Sequence, residues 1–308
     1  MRTKHSKLKI LRTGDVASMM SRLTPEQILE TYGPPSTLLS NSSKSRKCQP
    51  YGVLNEVLYL TPGVFCPAAT SGCLAACLGH SSGRMGFPTH VIARDRRAAF
   101  YVASRQTFLW QLKGELTSLA ARAQFLGLTP AVRLNGTSDL PWEDFHSELF
   151  DDFPQIRFFD HTKLRSRMKR FLLSKCWPAN YHLTFSADGK DDHARMVLEA
   201  GGSVAAVFWP ELPKTWWNYP VIDGDTHDAR FLDPRGVVVG LLAKGLACVD
   251  TTGFVIRPCP ACSSDLTLCR VTEDTHVKTL HRCDKCQFLL HASRMKPAVP
   301  AEVPSVAA

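Results

Sequence analysis

The sequence predicts an α/β fold: a parallel sheet rolled into a full or partial (β/α) barrel, with a small zinc ribbon at the C-terminal side. Three observations predict it. Apolar runs recur at intervals of about 25 residues with helix-like segments between them. Polar residues gather directly after those runs, and two Cys-x-x-Cys pairs follow the last of them. The first is the rhythm of β-α units, and the second is where sites form in parallel sheets.

The strands are expected at Val57–Leu60, Ala131–Leu134, Ile156–Phe159, His182–Phe185, Val204–Phe208 and Val237–Leu241. Between the first two, Phe108, Leu112, Leu116, Leu119, Ala120 and Ala123 repeat at helical spacing, with Gly127 as the stop. Upstream, Thr24-Pro-Glu-Gln reads as a capped helix start and Gly33-Pro-Pro as its end. Ser42 to Lys47 reads as an exposed linker or basic loop. The expected divisions are a basic arm with a short helix over 1–40, the barrel-like metal-site domain over 41–255, the ribbon over 256–292 and a disordered tail over 293–308.

A chain of 308 residues suits one large core plus a small appended unit. It has no apolar run near the ~20 residues of a membrane span and no apolar signal segment after Met1. A cytoplasmic protein without membrane contact is therefore expected. Eleven cysteines in such a chain point to metal rather than disulfides. Cys48, Cys176 and Cys248 stand alone and read as inert buried thiols. The net charge of +9 includes two basic runs, Arg2, Lys4, Lys7, Lys9 and Arg12, then Arg165, Arg167, Lys169 and Arg170. They fit either polyanion binding or a solvated basic surface.

Cys259-Pro-Ala-Cys262 and Cys283-Asp-Lys-Cys286 carry the strongest local signal. Each pair sets two thiolates on one side of an ion, and a hairpin between them closes a tetrahedron around zinc. So short a segment cannot build its own core, so the metal supplies much of its folding free energy. Lys278, Arg282, Lys285 and Arg294 around it tilt the ribbon toward nucleic acid, DNA or RNA, with a host protein as the other partner class.

Cys66, Cys73 and Cys77 follow the first expected strand. Three cysteines there suit a [4Fe–4S] cluster whose fourth iron is open for S-adenosylmethionine, although the gap from Cys66 to Cys73 is wide for that use. A zinc site completed by His80 or His90 and a set of unligated thiols are the alternatives. After the later strands come Asn135, Ser138 and Asp139; Asp160, His161, Thr162 and Lys163; Ser186 and Asp188; and Asp223, Asp225, His227 and Asp228. Each is also an ordinary cap or turn former, but their repetition at strand ends points to one site. Neither Gly-x-x-x-x-Gly-Lys-Ser/Thr nor Gly-x-Gly-x-x-Gly occurs.

Several phrases resemble a group of phage- and plasmid-borne proteins, the phage "gene product eighty-eight" family. They are Leu60-Thr-Pro-Gly-Val-Phe-Cys66-Pro through Cys77, Arg133-Leu-Asn-Gly-Thr-Ser-Asp139, Phe158-Phe-Asp-His-Thr-Lys163, Asp223-Gly-Asp-Thr-His-Asp through Pro234, and Gly240-Leu-Leu-Ala-Lys-Gly245. The resemblance spans about 40–255 and leaves the ribbon outside. It implies a radical-SAM-like α/β domain with Cys66, Cys73 and Cys77 at a metal site and Asn135, Asp139, Lys163, Asp225 and Asp228 as its polar residues. It supplies no reaction. Three functions follow as expectations: a metalloenzyme that modifies or processes nucleic acid; a non-catalytic, zinc-stabilised DNA- or RNA-binding factor for replication or regulation; or an adaptor that uses the ribbon to bind a host protein.

Overall fold

The computed structural model describes residues 19–81, 83–187, 191–259, 266–273, 276–287 and 289–291. The basic arm before Met19, Asp188, Cys262 and the tail from Lys296 lie outside the described residues.

Ten strands form the main sheet: β1 (Leu39–Ser40), β2 (Val53–Leu58), β3 (Thr129–Arg133), β4 (Arg157–Thr162), β5 (Tyr181–Ser186), β6 (Val204–Phe208), β7 (Thr215–Trp216), β8 (Tyr219–Asp223), β9 (Val238–Leu242) and β10 (Val255–Ile256). Their order is β1-β2-β3-β4-β5-β6-β9-β8-β7, with β10 also on β6. From β2 to β8 every neighbouring pair is parallel, and only the β1–β2 and β7–β8 pairs are antiparallel. The sheet is thus mostly parallel, as expected. Its path ends at β1 and β7 with no pairing between them among the described residues, so closure into a full barrel is not seen. All six residues of β2 are buried, the mark of a parallel strand covered on both faces.

The helices are α1 (Pro25–Tyr32), α2 (Ser43–Arg46), α3 (Ser71–Ala75), α4 (Leu78–Ser81), α5 (Pro88–Ala103), α6 (Arg105–Leu126), α7 (Trp142–Phe145), α8 (Glu148–Asp152), α9 (Arg165–Leu173) and α10 (Asp191–Glu199). The long helical region is two helices that meet at Ser104, whose extended φ breaks the turn. The expected stripe of α6 is the buried one, and Gly127 ends the helix in the left-handed conformation. Phe108, Leu112, Leu116 and Leu119 join Met168 of α9, Ala194 and Leu198 of α10, and Val132, Phe158 and Leu183 of the strands in the main core.

The opposite face is covered by the irregular stretch 225–233 after β8. There Ala229 and Phe231 pack with Cys48, Val53, Ala131 and Phe159. One face takes helices and the other a crossing loop, so alternate residues of each strand enter different environments.

Residues 25–40 pack onto this domain. The capping box at Thr24 and Gln27 starts α1 as read from sequence, and Ile28 is fully buried where α1 meets α5. Glu115 of α6 accepts the Leu38 and Leu39 N–H groups at 2.7 to 3.0 Å, and Arg97 donates to the Thr37 carbonyl and to Ser40 Oγ. Residues 42–47 correct the expected linker. Ser42 and Ser45 make their own capping box, which forms α2 and buries Ser45.

Two features set up the site. The carboxyl ends of all the parallel strands lie on one rim. There β5 and β6 part: β9 takes one whole edge of β6, so β5 and β10 share the other, β5 at Val204–Ala205 and β10 at Val207–Phe208. No helix is long and apolar enough to cross a membrane among the described residues.

At the C-terminal side, β11 (Thr267–Glu273), β12 (His276–Arg282) and β13 (Leu289–His291) form a separate antiparallel sheet.

The two faces of α6 predict opposite responses. Leu116→Ala at a fully buried position should cost about 2–5 kcal/mol in urea unfolding. Trp110→Ala, at a position 78% exposed, should stay within about 0.5 kcal/mol.

Candidate functional site

The loop after β2 carries Cys66, Cys73 and Cys77 over the carboxyl rim. Gly63 turns the chain with φ +82°, open to glycine and strained for other residues. The Ala69 N–H then donates to the Cys66 carbonyl, and Thr70 Oγ1 caps α3 by accepting the Cys73 N–H at 3.2 Å. A turn later the His80 N–H donates to the Cys77 carbonyl. Gly79 has no room for a side chain, because a Cβ there would meet Pro62, Thr137 and the Cys77 sulfur.

All three thiols are half-buried and feel one another. Burial pushes the Cys66 thiol up to about 11, opposed by a backbone hydrogen bond from Gly63 and reinforced by Cys77, Asp139 and Cys73. Burial also raises Cys73, against the pull of nearby Lys163, and raises Cys77, against its Gly79 hydrogen bond and Arg94. Three desolvated, mutually repelling thiols stay protonated at neutral pH unless a cation neutralises them. Their sulfurs are not gathered as single-ion ligands are. Among the described residues, the one His/Cys/Asp/Glu trio whose ligand atoms all lie within 4.8 Å is Cys259, Cys283 and Cys286. Neither His80 nor His90 completes such a set with the loop cysteines. Wider spacing is what a cluster uses, since each thiolate there binds a different iron.

Asp139 ties this loop to the sheet. Its N–H donates to the Phe65 carbonyl at 2.7 Å, one carboxylate oxygen accepts the Lys163 N–H at 2.8 Å, and the other accepts Arg167 Nη1 at 3.0 Å. Arg167 is almost fully buried and also pairs with Glu143 and Tyr181 Oη. Asn135 is fully engaged. Its amide donates to Asp160 and the Leu140 carbonyl, and its Oδ1 accepts from Ser138, the Leu140 N–H and Trp142. It shapes the 134–142 turn and has no polar atom left for a substrate. Burial pushes Asp160 up to about 6, against Arg167 and a hydrogen bond from Tyr181. Lys163 Nζ donates to the Ala187 carbonyl at 2.7 Å and sits 5.3 Å from the Phe254 ring. Phe254 is the residue before β10, so the wedge between β5 and β6 places it there.

Asn135, Asp139 and Lys163 thus assemble beside the cysteine loop. Asp225 and Asp228 do not join them. They lie on the sheet face opposite the helices, where Lys44, Arg133 and Lys244 approach them. Tyr59 stands between the two groups, within electrostatic reach of Arg133, Asp228 and Arg94. The Arg165–Arg170 run is also not a free basic patch: Arg167 is internal and Arg170 pairs with Asp144 and Glu143. Of the strand-end serines, Ser186 lends its carbonyl to Lys163 at 3.4 Å.

Sequence reading passed over Arg94 and Asp95. Arg94 donates to the Gly79 and Met85 carbonyls, and Asp95 accepts from Thr61 Oγ1 and the Met19 N–H. The signal was present: Val91, Arg94, Asp95 and Ala98 fall at helical spacing on the buried face of α5, so two charges sit where apolar residues belong.

In the C-terminal segment, Cys259, Cys283 and Cys286 are spaced to share one metal ion, with Cys259 and Cys286 Sγ 3.6 Å apart.

The raised thiols predict a pH profile. In metal-free protein, alkylation at Cys66 should stay slow through pH 9 and accelerate only toward pH 11, because the thiolate reacts and its fraction grows as pH nears the raised value. Mass-spectrometric rates at Cys66 against Cys176, which is exposed where the sequence suggested a buried thiol, read this out. Equal rates at both residues at pH 8 would contradict it.

Comparisons with curated proteins and with solved structures gave no match. A family model described as Gene product 88 matches residues 35–258, taking in the whole Cys66 loop, the strand-end polar residues and the sheet, so the chain belongs to the gene product 88 family.

Proposed function

We propose that this chain is a metalloenzyme that acts on nucleic acid. In this reading Cys66, Cys73 and Cys77 hold an iron–sulfur cluster at the mouth of a partial barrel, and the C-terminal cysteines hold zinc. One observation carries it: three half-buried thiols, each raised by burial and every pair repelling, face Lys163, Asp139 and Arg94 in the loop that follows the first parallel strand. The donor set fits the group. The thiols are soft ligands, spaced too widely for one ion, and held by a glycine that admits no side chain.

When bound, such a cluster with an open iron supplies one-electron chemistry on a ligand such as S-adenosylmethionine. The chain's own residues do the rest. Lys163 presents a fixed positive charge beside Cys73, Asp139 holds the loop against β4, and Phe254 covers the Lys163 ammonium from water. Asn135 and Arg167 act one layer behind as positioning residues.

A second reading is favoured by one observation, that the tight cysteine trio is in the ribbon. In it the protein is a zinc-stabilised nucleic-acid-binding factor without catalysis.

Anaerobic purification with iron, sulfide and zinc analysis separates the two. The first reading predicts iron and sulfide that vanish in the Cys66→Ala, Cys73→Ala, Cys77→Ala triple variant, and zinc that vanishes in Cys283→Ser. Zinc alone, with no iron after reconstitution, would leave the second.

A further inference from the structure

The carboxyl rim carries a second cluster of charges, on the face opposite the helices and apart from the cysteine loop. Lys244, just past β9, approaches Asp225 Oδ1 at 2.8 Å, and Lys44 of α2 stands 4.0 Å from the same oxygen. Lys47 donates to the Asp225 carbonyl at 2.9 Å. Lys44 Nζ and Arg133 Nη1 each lie 3.5 Å from Asp228 Oδ1. Four cations from three separate parts of the chain therefore surround Asp225 and Asp228, and with Asp223, whose Oδ1 accepts the Asp225 N–H at 2.8 Å, counted as a third carboxylate, one positive charge is in excess. Arg230 and Asp233 beside them balance each other.

Such an arrangement is not explained as a stabilising network. Exposed ion pairs contribute little, and here like charges are brought together that only a further anion would offset. Lys44 and Lys244 are about two-fifths to one-half exposed, so a solute can reach them, while Arg133 is mostly buried.

A second observation lies one layer in. Arg133 Nη2 meets His161 Nδ1 at 3.3 Å. The guanidinium only donates, so Nδ1 accepts and His161 carries its proton on Nε2. Both Arg133 Nε and His161 Nε2 are buried without a partner, as is the hydroxyl of Thr184, which pairs with His161 in the β4–β5 register. Each can donate, and so each calls for an acceptor. An acceptor-rich anion with fractional to double negative charge is a phosphate group.

We propose that Lys44, Arg133 and Lys244 form a phosphate-binding site on the rim, and that the Asp225 carboxylate occupies the anion position until a ligand phosphate displaces it. The phosphate comes from a nucleic-acid strand or from a free nucleotide. The inference deepens the nucleic-acid half of the proposed function and needs no metal, so it is tested on the full chain before and after metal loading. Asp228 keeps its role under both conditions. Burial pushes its carboxyl up, but Arg133, Lys44 and Arg230 together hold it below the ordinary range, so it stays ionised and anchors the cations.

The test is binding of a fluorescent single-stranded oligonucleotide, a mononucleotide and inorganic phosphate across a salt series. The variants are Lys44→Gln with Lys244→Gln, the control Lys113→Gln on the far surface, and Asp225→Asn. Thermal melts confirm that each is folded. The double variant should lower the log-affinity against log-salt slope for the single-stranded oligonucleotide by about 0.7 to 1, the share of one phosphate, and weaken inorganic phosphate about tenfold or more. Lys113→Gln should do neither. Asp225→Asn should bind phosphate more tightly, which a purely structural role for Asp225 would not produce. Mononucleotide binding that the double variant abolishes, without oligonucleotide binding, upholds the phosphate site and removes the nucleic-acid reading. Oligonucleotide binding unchanged in the double variant, or weakened equally by Lys113→Gln, overturns the site and leaves that reading standing.

Discussion

The carboxylate of Asp139 holds together what the rest of the rim depends on. It receives the Lys163 N–H on one oxygen and Arg167 on the other, while its own N–H reaches the Phe65 carbonyl. Three loops, after β2, β3 and β4, are thereby joined through one residue. Arg167 is buried, and a buried charge that loses a partner costs several kcal/mol. That cost is what fixes the geometry, because the loops cannot drift apart without exposing the guanidinium or leaving it less paired.

The layering follows from the same constraint. Strand residues alternate between a helix-covered face and the face crossed by 225–233. Phe158 and Asp160 of β4 therefore point toward Tyr181 and Arg167, while Phe159 and His161 point toward Phe231 and Arg133. One strand thus supplies two unlike polar networks, one supporting the cysteine loop and one supporting the cation cluster. The separation of Asp225 and Asp228 from Asn135 and Asp139 is a consequence of strand alternation.

Much of the sheet was legible because parallel strands are apolar runs. Val204–Phe208 coincides with β6, and the α6 stripe and its Gly127 stop stand as read. Other edges were hidden by polar residues in buried strands. Asn55 and Glu56 lie inside β2, where Glu56 is matched by Arg122, and His161 and Thr162 extend β4 past the last aromatic. β1, β7 and β10 are two-residue strands formed by tertiary pairing and carry no period of their own. Of the site, the residue types and their place after strands could be read from order alone. Their grouping could not. A basic run such as Arg165–Arg170 looks the same whether Arg167 is solvated or buried against Asp139 and Glu143, and only the fold decides which.

The central claim, that the Asp139 carboxylate holds the cysteine loop on the sheet, is tested most directly by hydrogen exchange on Asp139→Asn. The substitution keeps the shape but turns an amide toward Arg167 in place of a negative oxygen. The account predicts that protection falls across residues 61–81 and 134–141 while β3, β4 and β5 remain as protected as in the unaltered chain. Unchanged protection of the 61–81 loop, in a variant shown to be folded, would contradict it.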